Sequence, residues 1–228
     1  MLNYSKQFID KQDIDYLKKN LKNNIITQGK LIEKFEKNLK VKFKSKYCCV
    51  VSSGTAALHL SGIALNWKEG DIVLLSANTF VASANAVLYS RATPDLIDID
   101  KNTFNMDLVQ LENKINFYKS KGKKIHTVIA TDYAGHPCDW KELYYLKQKY
   151  NFKLLNDNCH SLGSKINNDI GYAVKFADIV AQSYHPVKAI TTGEGGSIFS
   201  KDKKIANRIS EIRNHSMQRT QKKGPWYY

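Results

Sequence analysis

The chain has 228 residues, 43% of them hydrophobic and 25% charged, which gives it room for a sizeable core and excludes a disordered or fibrous chain. No run approaches the ~20 apolar residues of a membrane helix, and the stretch from Met1 to Asp13 is polar and charged, unlike a secretory signal; a cytoplasmic protein is expected. The formal charge of +14 is spread over lysine-rich stretches at 37–46, 121–124 and 201–204, scattered between apolar segments, as on solvated faces rather than a nucleic-acid surface.

In chain order, two helices are predicted near 11–22 and 31–40, ahead of a first strand at Tyr47–Ser52. Strands follow at Ile72–Ser76, Asp95–Ile99, Thr127–Asp132, Lys153–Asn156, Asp178–Ser183 and Gly196–Ser200. Helices are predicted between and after them near 54–66, 80–90, 107–120, 139–150 and 201–213. Several strands read as continuous apolar runs, as strands covered on both faces do. Their alternation with amphipathic stretches predicts an α/β fold with one mostly parallel seven-stranded sheet. Cys48, Cys49, Cys138 and Cys159 show no C-x-x-C spacing, so neither a zinc site nor a disulfide framework is expected. The end, Gly224 to Tyr228, stops just past a helix, which reads as the N-terminal part of something longer.

Four short segments, each just past a predicted strand, carry possible chemistry. The first is Ser52-Ser53-Gly54-Thr55-Ala56-Ala57-Leu58, a strand end leading into a helix. Free N–H groups there can bind phosphate, although Ser and Thr also simply cap helices. Next comes Phe80, in Asn78-Thr79-Phe80-Val81-Ala82; its ring is either core or a surface for a planar heterocycle.

The third is Asp157-Asn158-Cys159-His160-Ser161-Leu162-Gly163. Ligands of open α/β sheets sit at the carboxyl ends of strands. Asp157 there can hold a ring nitrogen protonated, or cap the next turn, and His160 can donate to a ligand or to the protein. The fourth is Ser183-Tyr184-His185-Pro186-Val187-Lys188, before Thr191-Thr192-Gly193-Glu194-Gly195-Gly196. Most lysines are merely solvated, but Lys188 is held where an aldehyde can form a Schiff base with it. In order, the four supply a phosphate cradle, a stacking ring, a pyridinium partner and an amine.

With those residues in place, the sequence resembles the DegT/DnrJ/StrS group of sugar-nucleotide aminotransferases. The matching residues are Thr27-Gln28-Gly29, SSGTAALHL at 52–60, DYAGHP at 132–137, DNCHSLG at 157–163, SYHPVK at 183–188 and TTGEGG at 191–196. The likeness runs over nearly the whole chain. It implies the large domain of the aspartate-aminotransferase fold (fold type I) and pyridoxal 5'-phosphate as cofactor. The reaction implied is transfer of an amino group from glutamate to a nucleotide-linked keto-sugar by a homodimer. The wording of DYAGHPCDW, SYHPVKAITTGEGG and RNHSM is similar to members that aminate UDP-linked 4-keto-6-deoxy-amino sugars for pseudaminic-acid-type or other cell-surface polysaccharides.

By the same resemblance, Lys188 would carry the cofactor and move protons, and Asp157 would pair with the pyridine nitrogen. His160 would lie near the ring hydroxyl, Phe80 would stack on the ring, and Ser183 with Thr55 and Ala56 would hold the phosphate. Tyr4, Asn24, Ile25, Ile26, Thr27 and Ser53 would line the sugar-nucleotide side. The sequence departs from the group in one respect. The group's partner-subunit asparagine, in a G-x-N-x-R-like stretch, has no counterpart before residue 228, and the small C-terminal domain is missing. Two alternatives stand beside the aminotransferase. One is a sugar dehydratase of the same group, whose members replace the lysine by histidine; the other is a non-catalytic regulator or binding module of the same fold.

Overall fold

The computed structural model describes residues 5–23, 26 and 29–216. Two helices come first, α1 (Lys11–Leu21) and α2 (Lys30–Lys42). Asp10 and Asp13 form a reciprocal capping box at the start of α1. Beyond them the chain alternates: β1 (Tyr47–Val51), α3 (Gly54–Ala64), β2 (Ile72–Ser76), α4 (Ala82–Tyr89), β3 (Thr93–Ile97), α5 (Leu108–Ser120) and β4 (Ile125–Thr131). It continues with α6 (Trp140–Tyr150), β5 (Lys153–Asp157), α7 (Tyr172–Phe176), β6 (Ile179–Ser183), β7 (Gly196–Ser200) and α8 (Lys203–Arg213). Aspartates at 107, 139 and 202 cap α5, α6 and α8 by accepting backbone N–H bonds.

The strands form one seven-stranded sheet in the order β1-β7-β6-β5-β4-β2-β3. Neighbours from β6 through β3 pair in parallel, while β7 runs antiparallel to both β6 and β1. The mostly parallel sheet expected from the apolar runs is what forms. Side chains alternate between its two faces. Leu74, Val128, Leu154, Val180 and Phe199 pack on one side with Leu111, Leu143 and Trp140. Val73, Leu75, Ile129, Leu155, Ile179 and Ile198 pack on the other with Leu58, Val87 and Ile209. Both faces are therefore covered, which is why the central strands read as unbroken hydrophobic runs.

Some boundaries differ from the sequence expectation. The third strand was expected at 95–99 and lies at Thr93–Ile97. Pro94 lacks an N–H, and β3 accommodates it because it is an edge strand. Asp132 and Asp178, expected inside strands, lie just outside β4 and β6. The five-residue α7 and the single 3-10 turn Tyr133–Gly135 were not expected. Among the described residues no helix is long and apolar enough to cross a membrane. None of their His, Cys, Asp and Glu side chains cluster, three or more together, as a metal would require.

Candidate active site

The loops that follow β2, β4, β5 and β6 emerge at the carboxyl ends of parallel strands, where open α/β sheets bind ligands. The β4–β5 register sets Thr131 beside Asp157, and β5–β6 sets Asp157 beside Ala181. The β6–β7 register then sets Ser183 opposite Gly196. A Cβ on Gly196 would fall 2.5 Å from the Ser53 carbonyl oxygen, so the start of α3 lies directly on the sheet only because position 196 is glycine.

That helix start is the expected anion site. The Ser53 hydroxyl accepts from the Ala56 N–H at 3.1 Å, so the serine does cap the helix. The N–H groups of Gly54 and Thr55 have no intrahelical acceptor, as at any helix start, and Thr55 is exposed. A Cβ on Gly54 would lie 2.7 Å from the Ser183 Cβ and 3.2 Å from Cys159 Sγ. Capping and anion binding are thus not alternatives here. The helix dipole, two free donors and the Ser183 hydroxyl meet at one place suited to a phosphate.

Asp157 ends β5 and is 3% exposed. Its Oδ2 accepts from the Ser83 hydroxyl at 2.7 Å, and its Oδ1 from the Cys159 N–H at 3.3 Å. Ser83 is in hydroxyl contact with Thr79 at 3.0 Å, and Thr79 with Thr131 at 2.8 Å. Phe80, between Thr79 and the start of α4, is 64% exposed. Its ring is therefore not core, and it stands open beside the carboxylate's supports.

The loop from Tyr184 to Gly195 carries Lys188. The Tyr184 N–H donates to the Gly195 carbonyl at 2.8 Å, and the Thr192 N–H to the Tyr184 carbonyl at 3.0 Å. Inside the loop, the Lys188 N–H donates to the His185 carbonyl at 2.9 Å. The lysine is half-buried, and its charge bears on His160 and Cys159. Burial is the main cause lowering the His160 pKa, the Lys188 charge lowers it further, and Asp157 opposes both. Burial and Asp157 raise the Cys159 thiol while Lys188 pulls it down. Lys188, Asp157 and His160 therefore share one electrostatic neighbourhood, with His160 biased to the neutral imidazole.

Several residues that matter here were not singled out from the sequence. Asp132 is buried and accepts five hydrogen bonds. Its Oδ1 takes the Cys138 N–H and Trp140 Nε1, both at 2.8 Å. Its Oδ2 takes Asn156 at 3.1 Å, Asn158 at 2.9 Å and the Tyr172 hydroxyl at 2.8 Å. Burial pushes its carboxyl upward and these donors pull it down. From Asn158 the network continues to Gln182, Tyr184 and Ser197, so the 157–163 turn is tied to the base of the lysine loop. Tyr133 sets its ring edge-on to His160, with centroids 5.9 Å apart. Only DYAGHP as a matched motif pointed toward Asp132 and Tyr133. Ser83, in the first turn of α4, and Thr79, in the bend ahead of it, look in the sequence like ordinary helix and turn residues.

Of the residues expected on the sugar-nucleotide side, Tyr4, Asn24, Ile25 and Thr27 lie outside the described residues. Ile26 is 65% exposed, and Ser53 is half-buried at the cap of α3.

The assembled groups suit a ligand with a phosphate, a planar ring with a basic nitrogen, and an aldehyde that a lysine amine can attack. Comparison with known proteins agrees in kind. A UDP-4-amino-4,6-dideoxy-N-acetyl-beta-L-altrosamine transaminase of Campylobacter jejuni is 39% identical over 95% of this chain and 56% of its own length. The narrower resemblance read from DYAGHPCDW and SYHPVKAITTGEGG lies in the same direction. The structure of Helicobacter pylori PseC, an aminotransferase of pseudoaminic acid biosynthesis, superposes with a TM-score of 0.86 at 29% identity. It covers 96% of this chain and 57% of that one. A putative sugar aminotransferase of Streptococcus pneumoniae, Spr1654 in its PLP form, gives 0.81 at 26% identity over 92% of this chain and 57% of its own. The chain thus spans a little over half the length of these relatives. The sequence profile of the DegT/DnrJ/EryC1/StrS aminotransferase family matches residues 7–227, and the chain belongs to that family.

Proposed function

We propose that this chain carries the cofactor-binding part of a pyridoxal-phosphate-dependent aminotransferase, which moves an amino group from glutamate to a nucleotide-linked keto-sugar. The observation that carries the reading is the convergence of Asp157, Lys188 and the Gly54–Ser183 contact at the carboxyl ends of β5 and β6. These residues fit the cofactor part by part. The start of α3 with Ser183 would hold the phosphate, and Asp157 would hold the ring nitrogen through a charge-assisted hydrogen bond. Neutral His160 would face the ring hydroxyl, and the exposed Phe80 ring would cover one face.

Pyridoxal phosphate, when bound, supplies an electron sink for the carbon that loses a proton. Lys188 supplies the primary amine, takes that proton and returns it at the neighbouring atom, as general base and then general acid. Backbone hydrogen bonds close the lysine loop and hold the Lys188 backbone at the end of β6. Tyr4, Asn24–Thr27 and Ser53 are the residues proposed for the sugar-nucleotide side. A homodimer in the cytoplasm, serving cell-surface polysaccharide synthesis, completes the reading.

A lysine at 188 favours the aminotransferase over the dehydratase alternative, because a histidine there cannot form the imine. The full-length protein, assayed with glutamate and a panel of UDP-, GDP- and dTDP-linked keto-sugars, tests the substrate class. Turnover with UDP-linked 4-keto-6-deoxy-amino sugars is the expected outcome. Activity confined to small α-keto acids would leave an aminotransferase without the sugar.

A further inference from the structure

Asp157 is a buried carboxylate, and such a group must be held by donors of its own. We infer that Ser83, backed by Thr79 and Thr131, is a positioning residue for Asp157, aiming its carboxylate and supporting its charge through a one-way chain of hydroxyls. The inference rests on the reading of Asp157 as partner of the cofactor's ring nitrogen.

The direction of the chain follows from proton counting. A hydroxyl has one proton to give. Ser83 spends its proton on Asp157 Oδ2, at 2.7 Å. In its 3.0 Å contact with Thr79 it must then accept, so Thr79 is the donor there. Thr79, its proton used, must in turn accept from Thr131 across 2.8 Å. The three O–H dipoles therefore all point their positive ends toward Asp157. Hydroxyls aligned in this way strengthen one another, and in a low-dielectric interior the effect on a charge is larger than in water.

The fold holds each member in place. Ser83 is fully buried, and Thr131 is 3% exposed. Thr131 is the register neighbour of Asp157 across β4 and β5. Thr79 lies in the bend between β2 and α4, and its hydroxyl meets that of Ser83 in the first turn of α4. Asp157 Oδ1 accepts a long bond from the Cys159 N–H, at 3.3 Å. With Oδ2 engaged, the carboxylate cannot rotate freely, and Oδ1 is the oxygen left to meet a ligand.

The full-length protein loaded with pyridoxal phosphate labelled with ¹⁵N at the ring is the material for the test. Ser83→Ala, Thr79→Val and Thr131→Val are compared with wild type, their folding checked by circular dichroism. In Ser83→Ala the ¹⁵N signal is expected to move toward the unprotonated value. The half-reaction with glutamate is expected to slow roughly 10- to 100-fold, as loss of a hydrogen bond to a charged group implies. Cofactor affinity should change by less than about threefold, because the phosphate site is untouched. Thr131→Val, equal in shape but without the hydroxyl, should shift the signal the same way and less. If Ser83→Ala does not fold, the two valine variants carry the test. Folded variants with a wild-type ¹⁵N signal and wild-type rate would overturn the inference while leaving Asp157 in its role. A wild-type protein whose ring nitrogen is unprotonated would instead remove that role, and the inference with it.

Discussion

Gly54 and Ser183 approach so closely that a Cβ on the glycine would stand 2.7 Å from the serine Cβ. That distance is shorter than a side chain tolerates, so the start of α3 reaches the end of β6 only through glycine. Gly54→Ala should push the helix start off the strand end. We expect a loss of about 1–3 kcal/mol in stability, as for overpacking generally. Cofactor affinity should fall by about tenfold or more as the free N–H groups move from the phosphate. Denaturant unfolding and cofactor titration measure the two; unchanged affinity in a destabilised variant would detach the cradle from this contact.

Asp132 gathers five donors; among the described residues four of them donate to it alone, and Asn158 Nδ2 also reaches the Tyr172 hydroxyl at 3.2 Å. Asp132→Ala should leave them unsatisfied and destabilise the protein by roughly 3 kcal/mol or more. Because Asn158 is among them, the turn carrying Asp157 and His160 should loosen as well. Hydrogen exchange over 157–163 measures that loosening, and protection there equal to wild type would restrict Asp132 to a local packing role.

His160 supplies a pH signature. Its pKa is lowered, first by burial and then by the Lys188 charge, so the folded protein prefers the neutral ring. Unfolded histidine takes up its proton near pH 6.5. Between that value and the lower folded pKa the unfolded state binds more protons, so stability falls as pH falls. It is highest above about pH 6.5 and levels off below the folded pKa. His160→Gln should flatten that part of the stability curve, measured by thermal unfolding across pH 5 to 8. A slope identical to wild type would assign the pH dependence to other groups.

Much of this was legible in the residues, for identifiable reasons. Strands such as Ile72–Ser76 and Ile179–Ser183 are buried along their length, so they stand out as apolar runs. Asp157 and Lys188 could be found because polar residues that follow such runs fall at the ligand-binding end of the sheet. The hydroxyl chain could not be found. Thr131 and Ser83 look like an ordinary strand end and an ordinary helix residue, and only the parallel register and the placement of α4 bring them to Asp157. Asp132 read as the last residue of a strand, and its role depends on Trp140, Asn156 and Tyr172 arriving from three other segments. The exposure of Phe80 was equally hidden, since an aromatic after a strand is more often core.

Lys188 is the centre of the account. This half-buried residue lies on a loop closed at both ends, in one electrostatic neighbourhood with Asp157 and His160. The most direct measurement is borohydride reduction of the full-length protein with an equimolar amount of pyridoxal phosphate, followed by peptide mapping by mass spectrometry. The account predicts a single reduced adduct on the peptide containing Lys188, with loss of the visible absorbance band, and neither adduct nor band in Lys188→Ala. Cofactor bound without reduction at Lys188, or label spread evenly over the surface lysines, would contradict it.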